Sequence, residues 1–361
     1  MKYVGIDLHK RIIAICVVSP SRKVLERKTL YCNDPAQIRE YFQSLGEFQA
    51  VIEATAAYDW LAELLDPLAQ RVVLAHPGKM RIIAESKRKS DRIDARILAE
   101  FLALEIIPQA HRPTPRQREL RTLVRQRQWL KQRRTSLRCQ VRSLLARYNL
   151  DRKDLFTPQG RQYLEEVKVS DSDRFCLDQM LFLLAALECQ LTEYKKKLGE
   201  LAKRGSAKEQ KARRLLLSAP GIGEVTSAIV LAELGSDVRR FGSQKDVAAY
   251  AGLAPGRRES AGKARDLPIT KQGSRLLRWG MIQSAWVAIR HDQKWRAVHE
   301  QLTKRRGKKR AIVAVARRLL CVVAAILRSE QPYDQGYDRR MGQQRAKQKA
   351  RADAALAKLA T

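Results

Sequence analysis

The sequence has no uninterrupted run of about 20 apolar residues in its 361 positions. Its longest apolar stretch, "AIVAVARRLLCVVAAIL", is split by Arg317 and Arg318, so no membrane association is expected. A secretory leader is not expected either, because Asp7 interrupts the apolar start "YVGI" almost at once. Cysteine is sparse and scattered, at 16, 32, 139, 176, 189 and 321, with no C-x-x-C pair. That spacing argues against zinc or a disulfide frame and for reduced, cytosolic thiols. Acid is scarce relative to base: 38 Asp and Glu face 71 Lys and Arg, for a formal net charge of +33. Such an excess repels itself and is normally offset by a polyanion. With a membrane surface disfavoured, the expected partner is a nucleic acid.

The chain is long enough to bury a substantial core and to hold two or three domains. Its first third alternates strand and helix signals. "KYVGIDL" and "RIIAICVVS" read as two strands of a hairpin through His9-Lys10, and "VLERKTLYC" as a third. A helix is expected from Pro35 to Leu45, then the strand "QAVIEA", the helix "AYDWLAELLDPLA" and the strand "RVVLAHP". That order predicts a mixed sheet covered by helices over residues 1–110.

From Thr114 the pattern changes. "TPRQ" supplies an N-cap Thr, Pro at the first helical position and Gln at the third. Leu123, Leu130, Leu137 and Leu144 then recur every seven residues, but two of the companion positions are Arg127 and Arg134. Further on, Leu177, Leu184, Leu191 and Leu198 interleave with Met180, Leu187, Tyr194 and Leu201 at 3–4 spacing, a coiled-coil pattern. The region 111–205 is therefore expected to be a basic coiled-coil insertion, paired within one chain or joining subunits as a dimer or tetramer. Residues 206–332 read as a mostly helical segment and 333–361 as a basic tail. The expected fold class is α/β plus all-α.

Against the basic background, four acids stand out. Asp7 and Glu53 fall near the ends of predicted strands, and Asp91 and Asp94 lie three residues apart on a predicted helix, on one side of it. Carboxylates on separate elements are what a divalent-metal site needs: Mg²⁺ or Mn²⁺ takes a few carboxylate oxygens and leaves room for a phosphate. Two such ions stabilise the entering and leaving oxygens of a phosphodiester. Metals would then neutralise the acids while the surrounding cations hold the phosphate backbone. Taken alone, "SDRIDAR" equally fits a surface helix with Asp–Arg pairs.

"YVGIDLHKR", "VIEATAAYDWLAELL", "AHPGKMRIIAESKRKSDRIDARILAEFL" and the long segment from "LLLSAPGIGEVTSAIVLAEL" to "SRLLRWGMIQSAW" resemble transposases of the insertion-sequence-110 family, also called DEDD transposases and related to Piv-type invertases. The resemblance covers nearly the whole chain except the tail. It implies a RuvC-like (ribonuclease H-like) domain, a coiled-coil insertion and a C-terminal transposase domain. The family's Asp-Glu-Asp-Asp tetrad falls on Asp7, Glu53, Asp91 and Asp94. Its serine nucleophile, which becomes joined to DNA, falls on Ser260. Ala261 stands where the family usually has Gly, and Ser274 where an Asn often follows the Gly. A structured non-coding guide RNA transcribed from the element is implied as a further partner, as are element and target DNA, in the bacterial cytosol or nucleoid.

In the C-terminal half, "PGIGEVTSAIVLAEL" resembles a helix-hairpin-helix, in which Gly221 and Gly223 free backbone N–H groups for a phosphate; a plain turn between packed helices fits as well. Ser260 is expected in a basic loop before a helix starting near Gly273, with Lys263, Lys271, Arg265, Arg275 and Arg278 as phosphate contacts. Residues 112–149 carry twelve Arg or Lys against one acid, Glu119. Arg125, Arg127, Arg134 and Arg138 are therefore candidates to follow a nucleic acid along that helix. The reading favoured is a recombinase whose acids and serine form a composite site from two domains, in one subunit or two. A junction nuclease hydrolysing with metal-activated water is the alternative, and a non-enzymatic nucleic-acid scaffold a third. "VGID" also opens sugar-kinase-like ATPases, but Leu8-His9-Lys10 is wrong for their phosphate loop.

Overall fold

The computed structural model describes residues 1–55, 57–83, 91–260 and 263–334; the side chains of 81–83, 91–93 and 257–266 lie outside that description, as does the proposed tail from 335. The chain divides into two compact units, Met1–Pro113 and Thr114–Thr361.

In the first unit, β1 (Lys2–Leu8), β2 (Ile12–Val18) and β3 (Val24–Tyr31) form an antiparallel meander. Helix α1 (Pro35–Ser44) follows, opened by Asp34, whose carboxylate accepts from the Gln37 N–H. Next come β4 (Phe48–Glu53), α2 (Asp59–Leu65), β5 (Arg71–Ala75), α3 (Pro77–Ile83) and α4 (Asp91–Ala103). The strand order is β3-β2-β1-β4-β5, with β4 parallel to both β1 and β5. This is the mixed α/β sheet expected from the alternating signals.

Alternation divides the sheet between two layers. Val4, Ile6, Leu8 and Ile52 pack with Ile38 and Phe42 of α1 and Leu61 and Leu65 of α2. On the opposite face, Val51, Val73 and Ala75 meet Leu98 and Leu102 of α4, while Cys16 and Val18 meet Ala95 and Ala99. Gly5 lets α4 approach β1 closely: a Cβ there would lie 2.0 Å from the Ala95 carbonyl oxygen.

The second unit begins with α5 (Pro115–Ala146), closed at its start by the reciprocal Thr114–Gln117 capping box. After α6 (Pro158–Glu166), α7 (Asp171–Lys203) runs back antiparallel to α5. Leu120 and Val124 share a core with Leu198 and Leu201, whereas Val141, Leu144 and Leu145 share one with Leu177. Arg138 pairs with Glu188, and Arg147 with Asp173, each at 2.6 Å. Among the described residues, α7 is the one helix long and apolar enough by length and composition to cross a membrane. Its apolar side chains divide between the buried Leu177, Leu184, Leu191 and Leu198 and the exposed Phe175, Phe182 and Leu183.

Helices α8 (Ala207–Leu217), α9 (Glu224–Leu234) and α10 (Gln244–Tyr250) precede a ribbon of β6 (Pro255–Ser260) and β7 (Lys263–Ile269). The chain continues through α11 (Arg275–His291), α12 (Gln293–Arg306) and α13 (Lys308–Ser329). α13 is the central helix, with Val315, Leu319, Leu320 and Val323 buried in the same core as Leu216, Val230, Val247 and Leu277. The buried Glu233 carboxylate ties α5 to this core. It lies 3.1 Å from Arg125 and 3.5 Å from Arg121, and it accepts from the Tyr250 hydroxyl at 3.3 Å.

Candidate active site

Asp7 and Glu53 are neighbours in the sheet. β1 and β4 are parallel, with Ile6 opposite Ile52, so the next residue on each strand is one of the two acids. Adjacent strands are about 4.8 Å apart. Asp7 lies on the same face of β1 as Gly5, and Glu53 on the same face of β4 as Val51, which is the face covered by α4. Asp7 is buried, 7% exposed, and Glu53 is half-buried. The His9 Nε2 stands 3.1 Å from an Asp7 carboxylate oxygen. Sequence reasoning passed over His9; its position two residues past Asp7 is the signal that would have found it.

Helix α4 brings the other two acids toward this end of the sheet. Ala95 and Ala99 lie over Gly5, and Ala103 clusters with Tyr3 and Val24 at the opposite end of the sheet. The helix therefore runs against β1, and its first turn, with Asp91 and Asp94, faces the carboxyl ends of β1 and β4. Acids in a first helical turn also suit the positive end of the helix dipole. Asp94 is half-buried, while the Asp91 side chain lies outside the described residues. Arg96 is committed to Glu100 at 2.6 Å. Among the described residues, no group of three or more His, Cys, Asp or Glu side chains is close enough to hold a metal. The donor set of Asp7 and Glu53, two adjacent carboxylates, still fits a hard divalent cation.

The structure corrects the expected loop around Ser260. Ser260 ends β6 and pairs with Lys263 across two intervening residues. The alternation of apolar and polar residues that marks most strands is missing here, because "GRRES" and "KARD" are almost wholly polar, so backbone pairing makes this ribbon. "AG" at positions 261–262 is a short hairpin signal that could have been read. The side chains of Ser260, Lys263 and Arg265 lie outside the described residues, as does Ala261. The following helix opens at Arg275, with Ser274 as its N-cap: the Ser274 hydroxyl accepts from the Leu277 N–H at 3.1 Å. Ser274 thus has a structural duty.

Other expected contacts also divide between duties. Arg278 donates to the carbonyls of Ala251 and Lys271 at 2.9 and 3.1 Å, and burial, then Arg275, lower its pKa. It pins the Gly273 turn, where φ is +104°. Lys271 and Arg275 are exposed. Gly221, at φ +76°, turns against α11, where a Cβ would sit 2.2 Å from the Ser284 carbonyl oxygen. Packing alone accounts for that glycine. Gly223 caps α9 with open space around it, but the first helical residue, Glu224, is ion-paired with Arg213.

Along α5, the expected nucleic-acid contacts separate in the same way. Arg125 is paired with Glu233, and Arg138 with Glu188. Arg127 and Arg134 make no ion pair among the described residues, and the Nε of each is buried without a hydrogen-bond partner. Trp129, which sequence reasoning did not single out, is 46% exposed on this helix beneath the Arg133 guanidinium.

Two family models match the chain. The IS110-type DEDD transposase model matches residues 4–150, and the model described as "Transposase IS116/IS110/IS902 family" matches residues 213–300. The chain belongs to the IS110 family of transposases. It is 26% identical to the transposase for insertion sequence element IS1111A of Coxiella burnetii over 92% of this chain and 91% of that one. It is also 26% identical to a pilin gene-inverting protein of Moraxella lacunata, over 92% and 97%. The first IS110-family match contains Asp7, Glu53, Asp91 and Asp94, and the second contains Ser260.

Proposed function

We propose that this chain is a DNA transposase and site-specific recombinase that excises and inserts its own insertion sequence. The observation that carries this reading is the adjacency of Asp7 and Glu53 at the carboxyl ends of β1 and β4, under the helix that starts with Asp91 and Asp94. The strand order β3-β2-β1-β4-β5, with its antiparallel and parallel halves, supports a RuvC-like fold for the first unit.

Asp7, Glu53, Asp91 and Asp94 are the residues that would hold Mg²⁺ or Mn²⁺. Two bound ions supply stabilisation of charge on the entering and leaving oxygens of a phosphodiester. Ser260 is the nucleophile. Its hydroxyl gives up its proton as Oγ bonds to phosphorus. The bond to the departing strand end breaks, and the leaving oxygen takes up a proton to become a hydroxyl, so no net proton is gained or lost. Attack by a hydroxyl of the new partner strand then releases Ser260 and joins the ends, so one phosphodiester replaces another without an energy source.

The family resemblance leads us to assign a structured guide RNA as partner beside element and target DNA, in the bacterial cytosol, and the excess of basic residues suits both polyanions. Strand exchange needs several active sites held together. The exposed Phe175 and Phe182, one heptad apart on α7, support self-association through the coiled-coil hairpin.

The test is recombination of paired DNA sites, with the cognate RNA, by wild type, Asp7→Ala, Asp94→Ala and Ser260→Ala. Each variant should lose recombination, and a denaturation-resistant protein–DNA conjugate should form in wild type and vanish in Ser260→Ala. Cleavage that persists in Ser260→Ala with no conjugate in wild type would establish a water-using junction nuclease instead. Activity indifferent to removal of divalent metal would leave only a nucleic-acid scaffold.

A further inference from the structure

The α5–α7 seam contains a feature that packing does not explain. In the 3–4 register of α5, Leu120, Leu130, Val141 and Leu144 are buried. Arg127 and Arg134 occupy two positions of the same register, where an apolar side chain would complete the seam. Lys131 lies one turn from each, so the three cations share one side of the helix. All three are half-buried.

Elsewhere on α5, five arginines, half-buried or exposed, are paired with acids. Arg116 meets Glu209, Arg121 and Arg125 meet Glu233, Arg138 meets Glu188, and Arg147 meets Asp173. The central three are not. Lys131 rests 4.8 Å from the centre of the Trp279 ring, and none of the three has an acid partner among the described residues. The Nε atoms of Arg127 and Arg134 are buried and unbonded. Burial lowers the pKa of both Arg127 and Lys131, and neighbouring cations lower it further: Arg134 acts on Arg127, and both arginines act on Lys131. A like-charged, partly desolvated trio costs stability in the free protein, and a bound anion would remove that cost.

We propose that Arg127, Lys131 and Arg134 form a phosphate clamp, built into the middle of α5, for the sugar–phosphate backbone of a bound nucleic acid. Arg127 and Arg134 are separated by seven residues, about 10 Å of helix. That is too long for one phosphate and close to the axial rise of three nucleotide steps, at about 3.4 Å each, in a duplex. The chain's own basic segments are poor occupants, because they carry the same charge. The clamp rests on the nucleic-acid reading above and assigns that reading's backbone contacts to particular residues; DNA and RNA share the chemistry it recognises.

The test uses the full-length protein with 20-mer duplex DNA, single-stranded DNA and single-stranded RNA, titrated by fluorescence anisotropy at several salt concentrations. Arg127→Leu and Arg134→Leu should each weaken binding to the backbone that uses the clamp by about tenfold and lower the salt slope by about one. The probe whose slope changes tells DNA from RNA. Arg39→Gln, which removes an exposed charge from α1, sets the baseline for simple loss of charge. The free Leu variants should melt at or above the wild-type temperature, because the seam becomes apolar. Arg127→Gln provides the same binding test if the Leu variants fold poorly. In wild type, acylation of Lys131, followed by mass spectrometry, should be fast in the free protein and suppressed by the bound probe.

Wild type that binds with slopes unaltered in all three variants, or Lys131 unprotected by a bound probe, would overturn the clamp while leaving the transposase reading intact. Loss of recombination or of the Ser260 conjugate bears on that reading alone. Wild type that binds none of the probes would overturn both.

Discussion

Two buried acids, one in each unit, sit in opposite surroundings. Glu233, 1% exposed, is enclosed by Arg121, Arg125 and the Tyr250 hydroxyl, and it fastens α5 to α9 and α10. Asp7, nearly as buried, has another carboxylate, Glu53, beside it on the adjoining strand, and the His9 ring 3.1 Å from one of its oxygens. A buried charge ringed by opposite charges is part of the fold. A buried carboxylate set beside a second carboxylate is a candidate for chemistry, because like charges side by side disfavour ionisation of both.

The contrast predicts opposite outcomes for the two acids. Asp7→Asn keeps the shape and removes one of the adjacent negative charges, so the protein should melt at or above the wild-type temperature. Its recombination rate should fall by about a thousandfold or more. Glu233→Ala should do the reverse. It strands the largely buried Arg121, at a cost of about 3–5 kcal/mol in urea denaturation, while what remains folded should still recombine. Loss of stability in Asp7→Asn, or none in Glu233→Ala, would break the comparison.

How much of this was legible beforehand follows from the range of each interaction. The sheet could be read because β-rich runs alternate with helical ones, whereas Asp7, Glu53, Asp91 and Asp94 were proposed as a set from the family resemblance together with their places at strand ends or on one helical turn. That Asp7 and Glu53 become neighbours needs the pairing of β1 with β4, which local pattern implies only through the crossover between them. The partnership of Arg125 with Glu233 joins residues 108 positions apart, so Arg125 looked like a free phosphate contact. The ribbon that ends in Ser260 escaped notice because "GRRES" and "KARD" lack the alternation of apolar and polar residues that marks most strands. Arg127 and Arg134 were visible as breaks in a heptad, but that they and Lys131 meet no acid among the described residues is a fact of three dimensions.

The tetrad's geometry also depends on a residue with no charge. Gly5 allows α4 to lie against β1, and a methyl group there would meet the Ala95 carbonyl oxygen at 2.0 Å and the Ala99 nitrogen at 2.5 Å. Gly5→Ala must push α4 away from the strand and carry Asp91 and Asp94 with it. The expected cost is about 1–3 kcal/mol of stability, with recombination about a hundredfold slower if the first turn of α4 moves by about 1 Å. An unchanged rate in a destabilised Gly5→Ala protein would mean that the acids on α4 do not work with those on the sheet.

The smallest effect separates two serines near the ribbon. Ser274 is occupied: its hydroxyl accepts from the Leu277 N–H at the start of α11, and its own N–H donates to the Tyr250 carbonyl at 2.8 Å. Ser274→Ala removes the cap but not the backbone bond, so it should cost about 1 kcal/mol, seen as a small shift in the denaturation midpoint. Recombination and the covalent conjugate should persist, because a capping hydroxyl that moves away to attack phosphorus would give up the bond that starts its helix. Loss of the conjugate in Ser274→Ala, with Ser260→Ala still forming it, would transfer the nucleophile from the ribbon to the helix. That pair of variants is therefore the most economical check on which serine does the chemistry.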